Sequence, residues 1–469
     1  MVKMEEVVIF HTNDLHSHLE NWPKIRRYIL EKRADYLAEN KSVITLDLGD
    51  FVDRWHPLTE ATDGQGNIEL MNTLNYDAVT IGNNEGVGNS KEQLNQLYTK
   101  ANFDIILGNL FDKETGRAPS WVQPHKMIET KEHKIGLLAL TAPFPLTYSP
   151  NGWKIHTTDQ VLPKLINEVK EKCDILILMS HLGIDEDLRI ANTYPEIDVL
   201  LGSHTHHLFP DGEKVNQMQL AAAGKFGMYI GEVHLTINQG QIIDSFARTI
   251  PTAELSGETE DQEEIANFLD QGHHLLTEKR IAEIPWMLSR DLKQEHPFIE
   301  VALEALKERG KTEVAILNNG LFMVDIPAGD VNEDLLHQAL PHPMHLINVT
   351  LSGTDLIRLV REMEKNRHFL RKFPIVGMGF RGKVFGELRY NGLSYDKKNQ
   401  KVYWLGNLVD ETANYTFTTV DHFMFVPFFP TIELAGKVEF IFPEFIRTVV
   451  GAYLKRYYPI ISKQGIIKK

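Results

Sequence analysis

"VVIFHTNDLHSH", residues 7–18, decides the fold class. Four apolar residues, Val7–Phe10, read as a buried strand, and they run directly into a polar loop that carries Asp14 and His16. The same design recurs along the first half of the chain. "SVITLDL" from Ser42 leads to Asp50, "DAVTI" from Asp77 to Asn83, "CDILILM" from Cys173 to His181, and "IDVLLG" from Ile197 to His204 and His206. "FDIIL" from Phe103 and "KIGLLAL" from Lys134 read as further strands. Helical patterns lie between them, such as "KIRRYILEKRADYLAE", where Ile25, Tyr28, Ile29, Tyr36 and Leu37 can share a face. This alternation predicts an α/β layered domain with strands buried between helices.

In open α/β sheets, ligands gather at the carboxyl ends of strands, so these seven polar groups can converge on one crevice. Imidazole combined with carboxylate and a carbonyl oxygen suits Mn2+, Zn2+ or Fe2+, whereas Ca2+ or Mg2+ prefers oxygen throughout. A carboxylate between two divalent ions can bridge them, and the pair then clamps a phosphate and acidifies a shared water. Alone, D-x-H is usually a turn, and "SHTHH" can be a solvated loop. Five strand ends, each carrying a suitable ligand, make a metal centre the stronger reading.

The rest of the chain bounds this reading. A length of 469 residues predicts two or three domains. The first extends to about residue 250, "TAELSGETEDQEEIANFLDQGHHLLTEKR" supplies a linker helix within 251–280, and an α+β domain fills 281–469. Strands of that domain are expected at "EVAILNN", "MHLINVTLSG", "FGELRYNG", "KVYWLGN" and "NYTFTTVD". A net charge of −15 argues against tracking a nucleic-acid backbone, which needs clustered Lys and Arg. An acidic protein still binds a small phosphate if metal ions supply local positive charge. The single cysteine, Cys173, reads as an inert buried residue. "MVKMEEVVIFHTND" shows no signal-peptide core, and no apolar run reaches the roughly 20 residues of a membrane helix. No membrane partner is expected, and the cytoplasm is the default location.

The ordered set D-x-H, G-D, G-N, a lone H and G-x-H-x-H resembles the calcineurin-like metallophosphoesterases. With the second half added, the chain is similar to their two-domain 5′-nucleotidase and 2′,3′-cyclic phosphodiesterase family. Within it, "DRWHPLTEATDG" and "TIGNNEG" resemble the Bacillus-type cytoplasmic branch, which has GNNE in place of GNHE. The resemblance implies an N-terminal four-layer α/β/β/α domain and a C-terminal 5′-nucleotidase-type α+β domain that binds substrate. It implies two divalent metal ions, one held by Asp14, His16, Asp50 and His206, the other by Asp50, Asn83, His181 and His204, with Asp50 bridging. The activity implied is hydrolysis of a small, nucleotide-like phosphate ester or anhydride by a metal-bridging hydroxide.

The sequence departs from that family at several places. The motif G-N-H-E-F-D reads "GNNEGVG", so Asn84 replaces a histidine and Val87 an aspartate that together form a dyad beside the metals. An imidazolium can protonate a departing oxygen, whereas an amide can only hydrogen-bond. Asn84 is therefore expected to contact a phosphate oxygen, and acidic leaving groups are expected to be favoured. His18 and His207, which flank the ligand motifs, are candidates for the missing acid. In the second domain N-G-G-G-I-R reads "NNGLFM", which keeps Asn318 for substrate but puts Met323 at the arginine position, and P-F-G-N reads "PHPM" with Met344 for Asn. Phe429, with Phe380 or Phe385, is the candidate pair for stacking on a base. These losses leave a rival reading, a pseudoenzyme that keeps metals and binds a nucleotide without turnover.

Overall fold

The computed structural model describes residues 4–375, 377 and 379–460; residues 1–3 and 461–469, which the expected domains include, lie outside the described residues. The chain divides into two compact units, Met1–Gly272 and His273–Lys469.

In the first unit, alternation along each strand separates two cores. Val7 and Ile9 of the strand Met4–Thr12 point to one side with Ile44 and Leu46 of Ser42–Asp47. They meet Leu137 and Ala139 of Lys134–Thr141 and Ile177 and Met179 of Ile175–His181, which belong to a second sheet. Val8 and Phe10 point the other way, onto Trp22, Ile25 and Ile29 of the helix Trp22–Ala38. On the far side of the second sheet, Leu138 and Leu176 pack on Leu162, Leu165 and Ile166 of the helix Thr158–Val169. The result is four layers, α/β/β/α. Each fully buried Val, Ile or Leu contributes about 1.5–3 kcal/mol. Leu37, expected on the buried face of the first helix, is 51% exposed because it follows Tyr36 by one residue and is turned about 100° from it.

Both sheets have six strands. In the first, Met4–Thr12 pairs in parallel with Ser42–Asp47, which continues to Ala78–Val79 and Asp104–Ile105. In the second, Lys134–Thr141, Ile175–His181, Val199–Gly202 and Met218–Ala221 are parallel neighbours. All these parallel strands point their carboxyl ends the same way within their own sheet, which sets the polar loops side by side. The other edge of the first sheet is an antiparallel hairpin, Tyr229–Asn238 with Gln241–Pro251, which the sequence analysis did not identify. Cys173 lies half-buried just ahead of the strand Ile175–His181 rather than within it.

The helix Thr259–Thr277 spans the division between the units. Its first half is tied to the first unit by ion pairs of Arg26 with Glu264 (2.6 Å) and Arg27 with Asp261 (2.8 Å). The second unit is built on a five-stranded sheet ordered Leu388–Asn391, Ala315–Asn318, Asn414–Val420, His345–Ser352 and Lys437–Phe445. The helices Phe298–Gly310, Gly353–Leu370 and Ile446–Tyr457 contribute to its single large core. Among the described residues, no helix is long and apolar enough to cross a membrane.

Candidate metal centre

The ligand loops leave their strands through left-handed backbone. Asp14 and His16 have φ of 51°, Asp50 53°, His204 75° and His206 57°. The first two loops are laced together by their backbones: Asp14 N–H donates to Gly49 O (3.0 Å) and His16 N–H to Asp50 O (2.7 Å). A third loop is fastened by Glu85, whose buried carboxylate accepts the N–H groups of Asp50 (3.0 Å), Val52 (2.8 Å) and Gly82 (2.8 Å). Asn84 N–H completes the join by donating to Asp50 Oδ1 (2.7 Å). Gly82 is needed here for space, since a Cβ on it would lie 2.0 Å from Asp50 Oδ1.

Two groups of side chains result, Asp14 with His16 and His206, and Asp50 with His181 and His204; within each, the ligand atoms lie within 4.8 Å of one another. Asp50 Oδ2 stands between them, 3.6 Å from His16 Nε2 and 3.4 Å from His181 Nε2. Asn83 precedes Asn84, whose N–H meets Asp50 Oδ1 of the second group. Asn83 donates its amide N–H to Asn84 Oδ1 (3.1 Å), which leaves its own Oδ1 buried and without a hydrogen-bond partner. His181 Nε2 is likewise buried and unsatisfied, while its Nδ1 is held 2.8 Å from Leu48 O. Buried polar atoms seldom go unpaired, and a ring nitrogen fixed by a carbonyl on its far side is how histidine is oriented toward metals. Imidazole, carboxylate and amide oxygen therefore fit two divalent ions.

The electrostatics agree with cation binding. Burial opposes charge on Asp50, but His181 and His16 outweigh it and hold the carboxyl well below its usual range. Burial opposes protonation of His181 too, yet Asp50 lifts it to about 10. Burial, then His181, lowers His204 to about 4; burial, then His16 and Lys225, lowers His206 to about 3. Without ions, protons on a few buried histidines balance the carboxylates, and bound cations would displace them.

The other expected site residues fall differently. The Asn84 side chain lies 2.9 Å from His16 Nδ1 and accepts from Asn83, so it braces two candidate ligands. His18 is wedged between Trp55 (ring centroids 4.8 Å apart) and Phe226 (3.9 Å), its ring tilted to both. His207 turns its Nδ1 to Thr205 Oγ1 (3.0 Å) and its Nε2 toward Asp187 (3.7 Å), so neither nitrogen faces the candidate ligands. Asn318 is fully buried and its amide donates to Phe385 O (2.6 Å), a structural bond. Phe429 and both candidates for its partner, Phe380 and Phe385, are buried in the core. Phe385 and Phe429 are 0% exposed, and Phe380, 3% exposed, is itself stacked between His342 and His422 at 5.2 Å from each. Met344 is also 0% exposed. Beside them the second unit holds a cavity of about 630 Å³ lined by Arg290, Asn319, Met323, Arg371 and Lys383.

The sequence reading missed Glu85, Asp53, Lys225 and Phe226. Glu85 follows Gly82 by three residues and accepts its N–H, half of a capping box; glycine lacks the side chain for the other half, so the usual S/T-x-x-E signal was absent. Asp53, 3.4 Å from His16 Nδ1, and Lys225, over the Phe226 ring, carry no local pattern.

Comparison with known proteins accords with this geometry. Residues 7–208 match the calcineurin-like phosphoesterase family and residues 279–425 the 5′-nucleotidase C-terminal domain. The chain is 35% identical to the uncharacterised metallophosphoesterase YunD of Bacillus subtilis (strain 168) over 458 residues, covering 95% of this chain and 98% of that protein. It is 24% identical to a 5′-nucleotidase of Vibrio cholerae over 420 residues, 76% of this chain and 75% of the relative. The fold matches the NAD nucleotidase of Haemophilus influenzae with a TM-score of 0.66 at 15% identity, across 97% of this chain and 96% of the other. These relatives bear the names of phosphoesterases and nucleotidases, which disfavours the pseudoenzyme reading. The chain belongs to the calcineurin-like phosphoesterases that carry a 5′-nucleotidase C-terminal domain, and it is a metal-dependent phosphoester hydrolase.

Proposed function

We propose that this enzyme hydrolyses small nucleotide-like phosphoanhydrides and phosphate esters with acidic leaving groups. In this reading Asp14, His16, Asp50 and His206 hold one ion, and Asp50, Asn83, His181 and His204 the other, drawn from Mn2+, Zn2+ or Fe2+. The supporting observation is Asp50 Oδ2 standing between the two groups, next to the unsatisfied His181 Nε2. Two divalent ions so held supply a clamp for the phosphate and lower the pKa of a shared water.

The chain's own residues set the selectivity. Asn84 fixes Asp50 through its backbone and His16 through its side chain, and it has no proton to give a leaving oxygen. General-acid help is worth about 10²–10⁴ in rate, and its loss weighs most on basic leaving groups such as a nucleoside alkoxide. Burial of Phe380, Phe385 and Phe429 leaves no exposed aromatic pair for a base sandwich at those positions, which favours recognition of phosphate over base. The second unit's cavity is mixed in charge, with Asp291 and Glu387 beside Arg290, Arg371 and Lys383 and with Arg371 bonded to Glu387.

The test is turnover by the Mn2+-loaded protein of AMP, ATP, UDP-glucose, a 2′,3′-cyclic nucleotide, an aryl phosphate monoester and an aryl diester. Asp50→Ala serves as the metal-deficient control. Hydrolysis of anhydrides and aryl esters well above AMP, lost in the control, is the expected result. Efficient AMP hydrolysis would refute the leaving-group preference, and no turnover of any compound by metal-loaded protein would refute the proposal as a whole.

A further inference from the structure

Trp55, His18, Phe226 and Lys225 form a continuous run of contacts at the Asp14–His16–His206 group, the His18 ring tilted 43° to Trp55 and 37° to Phe226. Its lower end is fixed by Trp55 Nε1–H, which donates to His16 O (2.7 Å). His18 follows at 4.8 Å and Phe226 at 3.9 Å from His18. Phe226 N–H donates to Asp14 O (2.8 Å), and its ring lies 5.8 Å from the His16 ring and 6.1 Å from that of His206. The Lys225 ammonium caps the run, 4.6 Å from the Phe226 centroid.

Two features make this more than packing. Phe226 has φ of +59°, a conformation a bulky aromatic residue rarely adopts and one that persists mainly at ligand clamps and active sites. Lys225 is half-buried, and among the described residues its ammonium pairs with no carboxylate, although the chain has 64 acidic residues against 49 basic ones. A lysine held on a ring, with no carboxylate in ion-pair contact and close enough to act on His206, is a cation available to an anion at the candidate metal ligands.

We propose that Lys225 binds the substrate phosphate, its ammonium donating to a non-bridging oxygen of a phosphomonoester seated at the Asp14–His16–His206 group. This rests on the phosphoesterase reading of that centre. A monoester carries close to two negative charges near pH 8 and a diester one, so Lys225 discriminates between them by charge.

The experiment compares Lys225→Met and Lys225→Arg with the parent protein, all Mn2+-loaded, on one aryl phosphate monoester and the matching diester. Lys225→Met is expected to raise KM for the monoester about tenfold with kcat nearly kept, to change the diester less than about threefold, and to weaken inhibition by inorganic phosphate about tenfold; Lys225→Arg recovers most of the loss. Bound Mn2+ per chain stays at the parent value. Equal losses on both esters, no change on either, or loss of Mn2+ in Lys225→Met would each overturn the assignment. Should the parent turn over neither ester, the phosphoesterase reading fails. Calorimetric binding of inorganic phosphate then decides Lys225 alone, a tenfold weaker affinity in Lys225→Met supporting it and an unchanged affinity refuting it.

Discussion

Gly82→Ala adds a single methyl group, and the structure sets its cost. Gly82 has φ −96° and ψ −171°, extended backbone that alanine adopts freely, so no conformational strain enters. The effect is steric. The new Cβ would lie 2.0 Å from Asp50 Oδ1, 2.5 Å from Asp50 Cγ and 2.5 Å from His181 Cε1. Ordinary contact begins near 3.4 Å, so the carboxylate has to retreat by roughly 1.4 Å, several times the about 0.2 Å tolerance of a metal–ligand distance. Asp50 Oδ2 lies 3.6 Å from His16 Nε2 and 3.4 Å from His181 Nε2, so under the proposed ligand assignment its retreat would disturb both groups together.

Overpacking of this kind costs about 1–3 kcal/mol, which lowers the melting temperature of the first unit by roughly 2–12 °C. The sharper readout is linkage. Mn2+ at about 100 times its Kd stabilises the parent by about 2.7 kcal/mol, and Gly82→Ala is expected to lose most of that increment along with its bound Mn2+. Gly257→Ala, with no neighbour closer than 3.5 Å to the added carbon, is the control and should melt and bind as the parent does. A Gly82→Ala protein with full Mn2+ content and an undiminished Mn2+-induced rise in melting temperature would refute the shared-ligand geometry.

Two further outcomes test the surroundings of the centre. Asp187, fully buried against Ser180 and His207, is lifted by burial to about 8 from a usual value near 3.8. The folded state thus keeps a proton that the unfolded chain releases, so stability falls as pH rises from about 4 to about 8 and is flat above. In metal-free protein, Asp187→Asn should gain on the parent by roughly 3–4 kcal/mol between pH 5 and pH 8, read by urea denaturation at those two values; a constant offset between the two proteins would contradict the buried neutral carboxyl. Asn84→His with Val87→Asp restores both members of the family's dyad. AMP turnover should rise about tenfold or more with little change on an aryl phosphate, and a proportional change on both substrates would count against the leaving-group argument.

The parts of this site that were legible in the sequence share one property: their signal is local. A buried strand that ends abruptly in Asp, His or Asn announces both the strand and a candidate ligand, as at Val7–Phe10 before Asp14 and at Ile175–Met179 before His181. What was not legible depends on partners far along the chain. Trp55 meets His16 across 39 positions and Phe226 meets Asp14 across more than 200, and neither pairing leaves a pattern in either segment. Phe429 was ambiguous because a phenylalanine in an apolar run reads the same whether it packs inward or stacks on a ligand; here it is buried and packs on Phe385 and Phe423. The edge hairpin escaped for a chemical reason. Its turn has φ of 53° at Gln239 and 78° at Gly240, the two-residue turn that Asn-Gly or Asp-Gly normally marks, and glutamine gives no such warning.

Left-handed backbone joins chemistry and fold at the centre. Five of the seven candidate ligands have positive φ, each at about 1 kcal/mol or more, so the loops hold strain on the scale of several kcal/mol, a sizeable part of the roughly 5–15 kcal/mol of net stability typical of a protein. That strain reverses the chain at the strand ends and turns the N–H groups of Asp14, His16 and Ser17 onto the carbonyls of Gly49, Asp50 and Phe51, so two loops move as one. Asp and His tolerate this conformation better than most residues, being enriched at positive φ, and they are also the residues that bind metals. One residue type therefore meets both demands, and strain at Asp14 or His206 needs no further cause. Phe226 meets neither demand by its chemistry: its ring cannot ligate, and its bulk resists φ of +59°. The strain there requires a separate reason, and the ammonium of Lys225 lying on its ring supplies one.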